Sequence, residues 1–125
     1  MKKAINLAVI EKKRLLLVKK KDVWILPGGK PKKEDKSYFD TLFREFSEEL
    51  PGTGIFVGRY YGKFSDKTPH SHKDLTAKVY FGKVENLGYS SAEISDRKYI
   101  SDFENYTLSK ITEKIVESLK KDNYL

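Results

Sequence analysis

The sequence predicts an α/β sandwich that forms one domain. Its first 26 residues are dominated by β-branched and leucine-rich runs, while two later segments repeat apolar residues at helical spacing. A β-rich start, one central helix and one closing helix favour helices packed on a sheet. A length of 125 residues, 38% of them hydrophobic, is enough for one compact core and too little for two. We therefore expect residues 1–125 to form a single domain.

The first part of the chain predicts three strands. Residues 4–10 and 14–20 are apolar runs separated by a charged turn, and residues 23–26 continue the sheet. The Pro-Gly-Gly sequence at residues 27–29 then predicts an end to regular structure. Proline lacks a backbone donor, and glycine adopts conformations that other residues avoid.

A central helix is predicted after a lysine-rich loop over residues 30–36. Ser37 is a good N-cap with Asp40 three residues later, and the proline at position 51 places the helix end at about Leu50. At about 100° per residue, its apolar side chains fall in one stripe that we expect to face the protein body. That stripe consists of Phe39, Leu42, Phe43, Phe46 and Leu50.

The second half of the chain predicts three more strands and a closing helix. Residues 55–61 and 76–84 have strand character and are divided by a turn-rich segment, residues 63–74, which predicts a long loop. Residues 97–100 add a short strand. Apolar residues at helical spacing predict an amphipathic helix over residues 107–121. Its apolar residues are Leu108, Ile111, Ile115 and Leu119.

Composition excludes several classes of protein. The chain has no cysteine, which removes disulfide scaffolds, thiol catalysis and cysteine-based zinc sites and makes a reducing, cytoplasmic compartment the expectation. No run approaches the roughly 18 apolar residues that a membrane span needs, so we expect a soluble protein without a membrane partner. The net charge of +7 favours an anionic partner such as a phosphate, nucleic acid or acidic lipid, and it equally fits a solvated surface.

About one turn of the predicted central helix carries three carboxylates beside the apolar stripe. They belong to Glu45, Glu48 and Glu49. Like charges at this spacing repel, so a divalent cation that neutralises them would explain the cluster. A solvated acidic face is the alternative interpretation. The position beside the apolar stripe favours the cation, as does a Pro-Gly-Gly turn whose backbone oxygens can approach it. Oxygen ligands without histidine or cysteine indicate magnesium or manganese.

These residues resemble the signature of the Nudix hydrolases. The signature has a glycine, five residues, a glutamate, seven residues and then Arg-Glu-apolar-x-Glu-Glu-x-Gly, usually after a Trp-x-x-Pro-Gly-Gly strand end. Trp24-Ile25-Leu26-Pro27-Gly28-Gly29 is similar to the first half, and Arg44-Glu45-Phe46-Ser47-Glu48-Glu49 matches the helical core. The resemblance implies that residues 1–125 adopt the family's α/β/α sandwich with a mixed β-sheet.

The resemblance also implies an activity. Nudix hydrolases cleave the pyrophosphate linkage of a nucleotide or nucleoside diphosphate derivative by water attack at phosphorus, with one or more magnesium ions on the helix. It implies Glu45 and Glu49 as metal ligands and Glu48 as a ligand or as the base that positions water. It further implies that Arg44 orients Glu45 and that the Gly29 carbonyl is an additional ligand.

The chain departs from the family pattern at two positions. The glutamate expected before the helix falls at Asp35 or at Lys36, depending on the end from which it is counted, so the loop is one residue longer. Asp35 or Glu34 can replace it by reaching the Arg44 guanidinium, whereas a lysine would be repelled. Pro51 stands where the pattern has glycine.

Residues outside the signature extend the predicted site. We expect Lys30, with the neighbouring loop residues Lys32, Lys33 and Lys36, to attract substrate phosphates, although a solvated loop predicts the same composition. Glu93, with Asp96 as the alternative, stands where many family members carry a further base or ligand. A solvated loop carboxylate is the competing interpretation.

Histidines and aromatic residues give weaker indications. His70 and His72 alternate in a polar loop without a third ligand nearby, so an exposed loop is favoured over a metal pair. Four aromatic residues on the predicted strands fit a core better than a base-stacking surface. These are Tyr60, Tyr61, Tyr80 and Phe81.

Two alternative functions stay open. A catalytically impaired Nudix-fold module that binds nucleotides is suggested by the longer loop, Lys36 and Pro51. A nucleic-acid-binding or RNA-end-processing protein is suggested by the net charge, and it ranks last because the sequence has no recognisable RNA-binding signature. The substrate derivative and the oligomeric state are left open by the sequence.

Overall fold

The computed structural model describes residues 2–67, 73–89 and 91–125, which form an α/β/α sandwich around a mixed sheet. The strands are β1 (Lys2–Glu11), β2 (Arg14–Lys20), β3 (Val23–Ile25), β4 (Gly28–Gly29), β5 (Gly54–Lys67), β6 (Asp74–Glu85) and β7 (Ile94–Ile100). The helices are α1 (Tyr38–Glu49) and α2 (Lys110–Lys121), and a short 3-10 helix covers Phe103–Asn105.

The sheet is organised around β1. Its strand order is β3-β2-β1-β6-β5, with β4 also paired to β1 and β7 to β2. The β1–β6 pair is parallel, with Lys2 opposite Leu75, and the other pairs are antiparallel. This combination of parallel and antiparallel pairing confirms the mixed sheet that the resemblance implied.

Alternating residues of β1 place one helix on each face of the sheet. Ala4 and Ala8 belong to the core that includes Ile111, Ile115 and Leu119 of α2. Ile5, Leu7 and Val9 belong to a second core that includes Leu42, Phe46 and Leu50 at α1. Since successive side chains of a strand point to opposite faces, the two cores are separated by β1. This layering confirms the sandwich.

Helix α1 has the predicted boundaries but a narrower buried face. The Asp40 backbone N–H donates to Ser37 Oγ over 3.2 Å, so Ser37 is the N-cap as predicted. The prediction that Phe39 and Phe43 face the protein body is wrong, because these side chains are 42% and 55% exposed. The face that contacts the sheet is completed instead by buried Thr41 and Glu49.

Two predictions on strands also require correction. Gly28 and Gly29 do not end regular structure, since they pair with Asn6 and Ile5 as strand β4. Residues 63–67, expected as loop, continue β5, where exposed polar residues alternate with less exposed ones on an outer strand of the sheet. The central part of the predicted loop, which includes His70 and His72, lies outside the described residues.

The C-terminal elements start at different residues from those predicted. Strand β7 begins at Ile94, before the predicted residue 97. Helix α2 begins at Lys110, because Ser109 is its N-cap and accepts from the Thr112 N–H over 3.2 Å. Leu108 therefore lies outside the helix, where it forms a bridge to Trp24. Within the described ranges, neither helix is long and apolar enough to cross a membrane.

Candidate active site

Strand β4 brings the Pro-Gly-Gly turn against β1. Asn6 Nδ2 donates to the carbonyls of Leu26 and Pro27 over 3.1 and 3.3 Å, and the Leu7 N–H donates to the Pro27 carbonyl over 3.0 Å. Gly28 has φ of 135°, and a Cβ there would overlap the Ile5 carbonyl oxygen. Only glycine satisfies both the backbone conformation and the close approach.

Gly29 lies directly beside the C-terminal half of α1. A Cβ at Gly29 would overlap the Glu45 carboxylate, so that carboxylate lies against the strand backbone. The Gly28 N–H also donates to Glu49 Oε1 over 3.4 Å. The structure thus brings Gly29, Glu45 and Glu49 together, and we call Glu45, Glu48 and Glu49 the acidic cluster.

Arg44 connects the helix to the preceding loop. Its Nε and Nη2 donate to the two Asp35 carboxylate oxygens over 3.2 and 2.9 Å, and Nη2 also donates to the Lys30 carbonyl over 2.8 Å. Its Nη1 donates to Glu45 Oε1 over 2.9 Å and lies 3.6 Å from Glu48 Oε1. One guanidinium therefore fixes a loop carboxylate, a loop carbonyl and a carboxylate of the acidic cluster.

Asp35 makes the loop contact that the sequence left open between Asp35 and Glu34. Besides Arg44, its carboxylate accepts from the Lys32 N–H over 2.8 Å and from Thr41 Oγ1 over 3.0 Å. The hydrogen bonds from Arg44, then from Lys32, hold the pKa of Asp35 far below its usual value. The same contact with Asp35 raises the pKa of Arg44. The longer loop is therefore compatible with a bidentate ion pair to the helix.

Glu49 is a buried carboxylate without a cationic contact. It is 1% exposed, and no lysine or arginine of the described residues lies within 4.0 Å of its oxygens. Burial, then repulsion from Glu45, raises the pKa of Glu49 to about 8, while the Gly28 N–H and the charge of Lys20 act in the opposite direction. Such a group is stabilised by a proton or by a cation placed against it.

The donor set of this site suits a hard divalent cation. It combines the carboxylates of the acidic cluster with the neighbouring Gly29 backbone, and it contains no sulfur or imidazole. Among the described residues, no three such side chains already converge on a common point suitable for an ion. Arg44 contacts two of these carboxylates, those of Glu45 and Glu48. The residues therefore fit magnesium in their chemistry, with Glu48 turned toward Arg44.

A cleft of about 750 Å³ opens beside the acidic cluster. Glu45, Glu48, Gly29 and Lys30 line it, and Glu93 reaches it from the loop before β7. Glu93 Oε2 lies 3.7 Å from Lys20 Nζ, and its charge adds to the repulsion that raises the pKa of Glu49. The structure therefore brings Glu93 to the same cleft as the acidic cluster. A cleft of this size can hold a small ligand.

Other residues considered from the sequence lie elsewhere. Asp96, Lys33 and Lys36 do not line the cleft, whereas Lys32 does. Tyr61 and Phe81 pack against the α2 core, and Tyr80 packs against the α1 core, as the core interpretation predicted. The core interpretation is wrong for Tyr60, which is 47% exposed, and Tyr60 does not line the cleft either.

The sequence did not indicate several residues that line the cleft, among them Lys2, Asn6 and Lys20. Asn6 was detectable as a polar residue inside an apolar strand, where a side-chain amide needs a hydrogen-bond partner. The positions of Lys2 and Lys20 depend on strand pairing across the sheet, and no local pattern distinguishes them from other surface lysines.

Comparison with known proteins supports one family. A family model described as the NUDIX domain matches residues 2–121. No curated protein matches the chain. A UDP-X diphosphatase shares 24% identity at a TM-score of 0.80, over 96% of this chain and 61% of that one, so the chain spans less than two thirds of that relative.

Two further solved structures match over most of their length. A MutT protein from Methanosarcina mazei Go1 shares 22% identity at a TM-score of 0.80, over 98% of this chain and 94% of that one. An ADP-ribose pyrophosphatase from Streptococcus suis shares 20% identity at a TM-score of 0.73, over 98% of this chain and 92% of that one. At these identities the three solved structures show a shared fold.

Proposed function

Because the chain belongs to the Nudix hydrolase family, we propose that it is a magnesium-dependent enzyme that cleaves the pyrophosphate linkage of a nucleotide or nucleoside diphosphate derivative. Manganese is the alternative metal. The names of two structural relatives, a UDP-X diphosphatase and an ADP-ribose pyrophosphatase, support this class of substrate. The cysteine-free composition supports a reducing, cytoplasmic location for the activity.

The observation that carries this proposal is the Arg44 network. Arg44 holds Asp35, the Lys30 carbonyl and Glu45 at once, and Glu45 lies against Gly29. A solvated acidic face would not need a buried carboxylate, a bidentate ion pair and a glycine that makes room for a carboxylate. The ion pair between Asp35 and Arg44 also weakens the case for an impaired binding module, because the loop departure that suggested it is accommodated.

The proposed metal ligands are Glu45, Glu49 and the Gly29 carbonyl, with Glu48 as a further candidate. A bound magnesium ion would neutralise the anhydride and lower the pKa of a water molecule. Arg44 orients Glu45 by its hydrogen bond, and the lack of a Cβ at Gly29 leaves room for that carboxylate. Because Glu49 is buried, its carboxylate is shielded from competition by bulk water.

The reaction needs an acceptor for one proton. Water attacks phosphorus, the bond between phosphorus and the bridging oxygen breaks, and the departing phosphate keeps the electron pair of that bond. The attacking water loses a proton, and we assign its acceptance to Glu48. This carboxylate lines the cleft and has a half-exposed side chain, whereas that of Glu49 is buried. Lys30 and Glu93 line the same cleft, where we propose that they contact the substrate.

Turnover of a substrate panel tests the proposal. Phosphate release after phosphatase treatment is measured with magnesium over dinucleotides and nucleotide sugars, for the wild type, Glu49→Gln and the control Glu117→Gln on an exposed position of α2. We expect magnesium-dependent turnover that Glu49→Gln lowers at least about 100-fold and Glu117→Gln leaves unchanged. No turnover of any substrate, together with nucleotide binding that Glu49→Gln does not alter, would contradict the enzyme and favour the binding module.

A further inference from the structure

Lys2 lines the cleft from the face of β1 that is turned toward α2. Lys2, Ala4 and Asn6 alternate along β1, and all three line the cleft. Ala4 belongs to the core packed on α2, whereas Ile5 belongs to the core packed on α1. Because alternate residues of a strand share a face, Lys2 lies on the α2 side of the sheet. The acidic cluster comes from α1 on the opposite side.

Lys30 meets Lys2 because of the pairing between β1 and β4. These strands are antiparallel with Ile5 opposite Gly29, so the chain leaving β4 runs back along the N-terminal end of β1. The nearby ammonium group of Lys30 lowers the pKa of Lys2, because two positive charges close together repel each other. The Lys30 backbone is held by its carbonyl, which accepts from Arg44 Nη2. Both lysines therefore extend from fixed backbone.

The two ammonium groups lack an acidic partner. Among the residues that the structure describes, no carboxylate oxygen lies within 4.0 Å of Lys2 Nζ or Lys30 Nζ. Lys20, which lines the same cleft, is by contrast paired with Glu93. Two adjacent cations repel each other, and an anion between them converts that repulsion into attraction. The strand pairing thus keeps an unneutralised pair of positive charges at the wall of the cleft.

We propose that Lys2 and Lys30 bind a phosphate monoester of the substrate that is separate from the scissile pyrophosphate. This inference rests on the proposed function, in which the pyrophosphate lies against the acidic cluster on the α1 side. Since Lys2 lies on the α2 side of β1, the two anionic groups occupy different parts of the cleft. Lysine is a compact point charge that suits a phosphate without requiring bidentate geometry. The substrate class is a nucleotide derivative with a pyrophosphate and one further phosphate.

Matched pairs of nucleotides test the inference. NADPH differs from NADH, and coenzyme A from 3′-dephospho-coenzyme A, by one phosphate monoester away from the pyrophosphate. Turnover with magnesium and binding by calorimetry are measured for the wild type, Lys2→Gln, Lys30→Gln and Lys3→Gln. Lys3 is the control, since it is the neighbouring lysine of β1 and does not line the cleft.

We expect the wild type to prefer the phosphorylated member of at least one pair. Lys2→Gln and Lys30→Gln each reduce that preference about threefold to tenfold, and Lys3→Gln leaves it intact. Equal losses on both members would show that the lysines bind the pyrophosphate itself and would overturn the inference. The inference is also overturned if the wild type has no preference for the phosphorylated member of either pair. Binding distinguishes the two proposals, because a preference for the phosphorylated member remains measurable by calorimetry if no substrate is hydrolysed.

Discussion

Helices α1 and α2 each have 12 residues and begin after a serine N-cap, yet they bury different side chains. Helix α2 buries Ile111, Ile115, Val116 and Leu119, and it carries lysines in its last turn, where they complement the helix dipole. Helix α1 buries Glu49, leaves aromatic side chains exposed and has no basic residue in its last turn. One face of the sheet is thus covered by a helix that buries no charged side chain, and the other face by a helix that buries a carboxylate.

This difference indicates that α1 is arranged for the site at a cost in stability. Negative charge near a helix C-terminus is unfavourable, and a buried carboxylate without a cation adds a desolvation penalty. Arg44 offsets part of that cost through Asp35 and Glu45. We therefore expect substitutions on the two helices to differ in their effects. The difference should be largest where apolar side chains are truncated and smallest at the N-caps.

Truncating Leu119 on α2 is expected to cost much more stability than truncating Phe43 on α1. Leu119→Ala on α2 removes a fully buried side chain and lowers the free energy of unfolding by about 2–5 kcal/mol. Phe43→Ala on α1 removes a side chain that is 55% exposed and costs less than about 1 kcal/mol. Urea unfolding in the absence of metal measures both. Equal losses would mean that Phe43 is packed after all and that the contrast between the helices is wrong.

The Arg44 network links α1 to the preceding loop and to the acidic cluster. Arg44→Lys keeps the charge and loses the bidentate contact with Asp35, so we expect kcat/KM to fall about 10–100-fold while the protein stays folded. Asp35→Asn acts through the same contact. A double-mutant cycle measures the coupling, and losses from the two substitutions that simply add would show that Asp35 does not act through Arg44.

We expect Glu49 to make the metal-free protein less stable as pH rises from about 5 to 8. The pKa of Glu49 is raised from 4.5 to about 8 in the folded state, so between these values the folded chain holds a proton that the unfolded chain has lost. The free energy of unfolding therefore falls by up to about 1.4 kcal/mol per pH unit across this window. Asp35, with a lowered pKa, acts below this range, where its stabilising contribution is lost on acidification.

Glu49→Gln provides the comparison for this pH dependence. Urea unfolding of the wild type and the variant with a chelator at pH 5.5, 6.5 and 7.5 isolates the Glu49 contribution, since all other groups are shared. We expect the wild type to lose stability relative to the variant with each step. A constant difference between the two proteins would contradict the buried carboxylate with its raised pKa.

The N-caps test the part of the comparison in which the helices are alike. Ser37→Ala and Ser109→Ala each remove the acceptor of a backbone N–H and cost about 1 kcal/mol. We expect the larger loss at Ser109, which is buried and also bonds Thr112 Oγ1 over 2.7 Å. Thermal melts of the two variants under matched conditions show which substitution costs more stability. A larger loss for Ser37→Ala than for Ser109→Ala would contradict the expected order.

Local patterns predicted most of the fold and part of the site. Ser37 and the proline at position 51 bounded α1 because caps and breakers act on adjacent residues. A helical wheel placed Phe39 and Phe43 in the buried stripe, because the wheel cannot show how wide the contact with the sheet is. Residues 63–67 had the polarity of a loop, because a strand at the edge of a sheet leaves many side chains in solvent.

Where the sequence left alternatives for the residues of the site, the choice between them depends on tertiary contacts. Charge alone excluded Lys36 as a partner of Arg44, but the choice of Asp35 over Glu34 depends on how the loop folds back onto Lys32 and Thr41. The neighbourhood of Lys2 and Lys30 depends on the antiparallel pairing of a two-residue strand. Periodicity is not detectable in so short a segment.

The effect of magnesium on unfolding tests most directly the claim that α1 holds its acidic cluster for a metal ion. Unfolding of the wild type, Glu49→Gln and Glu117→Gln is measured at pH 8 with chelator and with excess magnesium. A ligand that binds only the folded state raises the free energy of unfolding. We expect magnesium to stabilise the wild type and Glu117→Gln and to have little effect on Glu49→Gln. An equal response of all three proteins, or none in the wild type, would contradict it.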